Sequence, residues 1–119
     1  MPHFTLEYSS NLPIQPRDLL LKINASLVES RHFQEIDIKS RAIRLEDVVI
    51  GTAPDERAFL HAKLAILTGR SAEVRRQLSE RLLEVIQAAQ TWPQGLDVQL
   101  CVEVLEIDKE TYAKAHLAN

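Results

Sequence analysis

The chain has 119 residues, 45% hydrophobic and 26% charged, a balance that suits one globular domain with a real core. A formal net charge of −3 argues against a dedicated nucleic-acid binder, which needs a basic surface to neutralise phosphates. A single cysteine, Cys101, rules out an internal disulfide and fits a reducing compartment, and no stretch approaches the roughly 18 apolar residues of a membrane span.

The chain opens on Met1-Pro2-His3-Phe4-Thr5-Leu6-Glu7-Tyr8, an alternating strand in which Pro2, Phe4, Leu6 and Tyr8 share the apolar face. No basic-then-apolar leader is present, so a cytoplasmic location is expected. Initiator methionine is trimmed when the next residue is small and uncharged. The nitrogen of Pro2 then becomes a free secondary amine. Burial against apolar atoms and nearby cations both lower the pKa of an amine. Such a group can serve as a general base near neutral pH, as proton abstraction next to a carbonyl requires.

Ser9-Ser10-Asn11-Leu12-Pro13 is turn chemistry, and a first helix is predicted over Pro16–Ser30 with Leu19, Leu20, Ile23 and Leu27 on its apolar stripe. A second strand region covers Ile36–Ile50. Its alternation changes phase, with Ile36 and Ile38 on one parity and Ile43 and Leu45 on the other, so a bulge or break is expected near Ser40–Ala42. After the turn at Gly51–Asp55, a third strand is predicted over Arg57–Leu67. Ser71 is a good N-cap for a second helix over Ala72–Gln90, with Val74, Leu78, Leu82, Val85, Ile86 and Ala89 buried. A fourth strand runs over Leu96–Ile107, and the tail Asp108–Asn119 is expected to form a short helix.

The order is β-α-β followed by β-α-β, one unit used twice, over about residues 2–50 and 57–107. Each crossover predicts a parallel strand pair. The fold class is therefore α+β: a single domain over 1–119, with a four-stranded mixed sheet and two helices on one face. Phe59, Ala65, Leu67, Leu105 and Ile107 make the opposite face too apolar for water, so an oligomer is expected to cover it. His61 and Lys63 fall on that face as interface residues, and Cys101 is expected to be small and buried. His3, His32, His61, His116 and Cys101 make no recognised ligand spacing, so no metal is expected.

Four motifs occur in order and at telling spacings: Met1-Pro2-His3-Phe4, Ile38-Lys39-Ser40-Arg41-Ala42, Phe59-Leu60-His61 and Gly69-Arg70-Ser71-Ala72-Glu73. Together, over essentially the whole chain, they resemble the 5-carboxymethyl-2-hydroxymuconate delta-isomerase family of the tautomerase superfamily. The stretch from Gly69 onward also resembles the helix start of the short 4-oxalocrotonate tautomerases.

The resemblance implies a βαβ-βαβ subunit, a homotrimer, and an amino-terminal proline acting as base without metal or organic cofactor. It implies a small unsaturated dicarboxylate as substrate, converted from enol to conjugated ketone. Carried onto this chain, Pro2 is the base, and arginines from the second strand and from before the second helix hold carboxylates, here Arg41 and Arg70. Lys39 lies two residues from Arg41, faces the same side, and remains the alternative. Bidentate guanidinium pairing suits a planar dicarboxylate, and a cation near the carbonyl oxygen stabilises a developing dienolate. Two other readings stay open. One is a binding or signalling module of the same fold with incidental activity. The other is a hydratase- or dehalogenase-like relative in which the proline acts as an acid.

Overall fold

The alternation at the start of the chain forms β1 (His3–Ser9), with Phe4, Leu6 and Tyr8 buried and His3, Thr5 and Glu7 half-buried. The computed structural model describes residues 1–119. The clearest alternation, Arg57–Leu67, is also a strand, with Ala58, Leu60, Ala62, Leu64 and Ile66 all fully buried. Numbered in chain order it is β3, after β2 (Lys39–Leu45) and before β4 (Asp97–Ile107). β1 and β3 lie antiparallel at the sheet centre, with His3 opposite Ala65 and Tyr8 opposite Leu60. β2 adds parallel to β1 and β4 parallel to β3, giving the order β2-β1-β3-β4.

A parallel pair needs a crossover, and each crossover here contains a helix. α1 (Pro16–Glu29) begins on a proline, whose missing N–H costs nothing in the first turn. α2 (Ala72–Ala88) begins after Ser71, whose Oγ accepts a hydrogen bond from the Val74 N–H at 3.2 Å. Leu19, Ile23 and Leu27 of α1 join Leu78, Leu82 and Ile86 of α2 in one core with the inward side chains of β1 and β3. Both helices therefore cover the same face of the mixed sheet, the α+β arrangement expected. Each such fully buried leucine or isoleucine contributes about 1.5–3 kcal/mol. No helix is long and apolar enough to cross a membrane.

Four expectations are corrected. β2 is shorter than Ile36–Ile50, because Glu35–Asp37 form a 3-10 turn that leaves Ile36 68% exposed and Ile38 buried. The phase change thus lies ahead of the strand. No bulge interrupts Ser40–Ala42, since pairing with β1 runs unbroken from His3–Lys39 to Ser9–Leu45. The tail forms no helix: the Asp108 carboxylate accepts from the Glu110 N–H at 3.0 Å, a local turn bond that competes with helix formation. Cys101 is exposed, because its strand parity puts it beside His61 on the face away from the helices.

That outer face is mixed rather than uniformly apolar. Lys63 pairs with Glu7 at 3.0 Å and His61 with Glu103 at 2.5 Å, while Ala65, Leu67, Leu105 and Ile107 gather towards one end.

Candidate active site

The pairing of β1 with β2 builds the first part of the site. The Lys39 N–H donates to the Pro2 carbonyl at 3.1 Å, which extends the parallel ladder one residue before β1. Pro2 is buried, and Met1, next to it, lines a cleft of about 500 Å³. The amine at Met1 is held below its ordinary pKa, first by burial, then by the positive charges of Lys39 and Lys114; Asp37 opposes them.

Arg70 enters the same cleft from the connection between β3 and α2. Gly69 turns the chain there at φ +131°, a conformation that side chains rarely adopt. The Arg70 guanidinium donates to the His32 carbonyl at 2.8 Å and lies 4.8 Å over the centre of the Phe33 ring. One hydrogen bond and one aromatic contact fix its plane, and its other N–H groups stay free for a ligand.

Lys39 and Arg41 share the outer face as expected, but their surroundings differ. The Lys39 ammonium donates to the Asp37 carbonyl at 2.7 Å and stands close enough to the terminal amine to affect its ionisation. Arg41 does not line the cleft; it donates to His3 Nδ1 at 2.7 Å. A guanidinium only donates, so Nδ1 carries the lone pair and Nε2 the proton. Nε2 then donates to the Tyr112 hydroxyl at 3.0 Å. Burial foremost, then Arg41 and Lys39, lower the His3 pKa and favour this neutral form.

Two residues of the cleft come from the tail and escaped the sequence reading, Tyr112 and Lys114. The ring of Tyr112 meets His3 edge-on at 6.2 Å, and Lys114 pairs with Asp37 at 2.9 Å. This pairing lowers the Asp37 pKa and raises that of Lys114. A tyrosine and a lysine two apart in a polar tail carry no periodic signal that would link them to residue 1.

A larger groove, about 930 Å³, lies between α1 and α2. Its Arg81 is committed to the carbonyl and hydroxyl of Ser26, at 3.3 and 3.2 Å. The groove holds no chain terminus, and Arg81 is its one arginine. The amino-terminal cleft instead brings the terminal amine, cations and the apolar walls of Phe33 and Leu67 together, which makes it the candidate site.

The chain is similar to known proteins over most of its length. Residues 2–118 match the family described as 5-carboxymethyl-2-hydroxymuconate isomerase. The chain is 33% identical over 89 residues to a 5-carboxymethyl-2-hydroxymuconate Delta-isomerase of Escherichia coli, covering 73% of this chain and 71% of that one. A crystal structure of a 5-carboxymethyl-2-hydroxymuconate isomerase from Deinococcus radiodurans R1 superposes with a TM-score of 0.80 at 32% identity, covering 98% and 90% of the two chains. A fused 4-OT described as a symmetric trimer shares the fold, with a TM-score of 0.71 at 18% identity over 95% of this chain and 91% of that one.

Proposed function

Since the chain belongs to the 5-carboxymethyl-2-hydroxymuconate isomerase family and is an isomerase, we propose that it moves a proton between the enol and conjugated keto forms of an unsaturated dicarboxylate such as 5-carboxymethyl-2-hydroxymuconate, with Pro2 as the base. Removal of Met1 leaves the Pro2 nitrogen as the terminal amine. One observation carries the reading: Pro2 is buried beside a cleft that holds Arg70, and the terminal amine next to it, at Met1, is held below its ordinary pKa by burial, Lys39 and Lys114. A neutral amine takes the enol proton, the electron pair moves through the diene, and the ammonium returns a proton to the far carbon. The atoms balance with no external donor. Arg70 binds a carboxylate, and Lys39 stabilises negative charge on the developing dienolate. Arg41 acts at one remove, through His3. The trimer among the fold relatives supports a homotrimer for this chain too, with the outer sheet face covered by its partners.

The test is ultraviolet-monitored isomerisation by the wild type and by Pro2→Ala, with the intact mass of each recorded. On a chain lacking Met1, kcat/KM of about 10⁴ M⁻¹s⁻¹ or more is expected. It should fall roughly 10²-fold or further in the variant, the usual contribution of a general base. Full activity in Pro2→Ala contradicts the assignment. Turnover far below that efficiency in a processed wild type favours a binding role.

A further inference from the structure

Resting on that reading of the cleft, we propose that Lys114, carried in by the C-terminal tail, is a substrate-binding residue that takes the second carboxylate of the dianion while Arg70 takes the first. The charges lining the cleft are Arg31, Arg70 and Lys114 against a single carboxylate, Asp37. Three cations facing one anion leave an excess of positive charge that a dicarboxylate balances and a monocarboxylate does not. Phe33 and Leu67 supply apolar wall for the carbon skeleton. Lys114 is already oriented, since its ammonium lies 2.9 Å from the Asp37 carboxylate with about a third of its side chain exposed. An ammonium has three protons, so the pair with Asp37 leaves donors for a ligand. Tyr112, two residues before Lys114 and bonded to His3, anchors the tail so that Lys114 reaches the cleft without regular secondary structure around it.

A simpler role for Lys114 is to latch the tail to Asp37, and the two roles predict different behaviour. The experiment is calorimetric titration with adipate, a non-reactive saturated dicarboxylate, and with hexanoate, its monocarboxylate counterpart. The chains are the wild type, Lys114→Gln, Lys114→Arg and Asp37→Asn, each checked for fold by circular dichroism. Lys114→Gln should weaken adipate about tenfold, the loss of one charge-assisted hydrogen bond, and leave hexanoate within about twofold. Lys114→Arg should restore adipate binding. Asp37→Asn, which removes the competing anion, should bind adipate as well as the wild type or better.

Equal weakening of adipate by Lys114→Gln and Asp37→Asn overturns the proposal in favour of a latch. So does equal loss of both ligands in Lys114→Gln, or no adipate binding by the wild type. Lys114-dependent adipate binding in a chain that isomerises no dienol sinks the isomerase reading and leaves this one standing. Normal adipate binding by Lys114→Gln beside an active wild type does the reverse.

Discussion

Lys39 and Arg41 occupy equivalent parities of one strand, so alternation alone assigns them the same face. What separates them is the partner each finds. The Lys39 ammonium sits by the terminal amine, whereas Arg41 spends an N–H on His3. A positive charge near an amine costs the protonated form and so lowers its pKa. Lys39→Ala should therefore lower kcat/KM at neutral pH more than Arg41→Ala, and move the acid limb of its pH profile upward. The sign follows from the cause, because removing a cation lets the amine hold its proton to higher pH. A larger loss in Arg41→Ala, with an unmoved limb in Lys39→Ala, would return the carboxylate-binding role to Arg41. Pro2 and Arg70 are named from the sequence as motif residues, and the fold brings Arg70 to the cleft; Tyr112 and Lys114 carry no sequence signal, since only the folded tail brings them there.

The elements that read correctly are those whose burial is periodic along the chain. β3 was expected at Arg57–Leu67 and lies there, because alternate residues are buried over its full length. α2 begins where Ser71 predicts and ends within two residues of expectation, because a side-chain cap and an apolar stripe act together. Its centre is Leu82, fully buried. Leu82→Ala should cost about 2–5 kcal/mol in urea unfolding, the usual range for a leucine cavity; a loss below about 1 kcal/mol would show that α2 packs loosely. β2 failed because it is an edge strand with one solvated side, where Ile43 at 45% exposure says little about register. The 3-10 turn before it borrows apolar residues that resemble a strand. The tail failed because its contacts are single side-chain bonds to distant residues, which leave no pattern along the sequence.

At the scale of the molecule, both sheet edges and one sheet face lack a cover within the chain. The outer face was expected to be apolar, yet its centre carries Glu7, Lys63, His61 and Glu103 in pairs. Paired charges can be buried between subunits where unpaired ones cannot, so a mixed face still suits an interface. Native mass spectrometry at micromolar concentration should show three chains, and single chains that retain full activity would contradict the trimer. Within each subunit, the nitrogen of Pro2 is the proposed working base. The most direct test is a nuclear magnetic resonance titration of protein labelled with ¹⁵N-proline, set beside the pH dependence of kcat/KM. The amine should titrate below the ordinary α-amino value, and its midpoint should coincide with the acid limb of activity. An amine titrating at or above that value, beside activity already complete at lower pH, would mean that another group takes the proton.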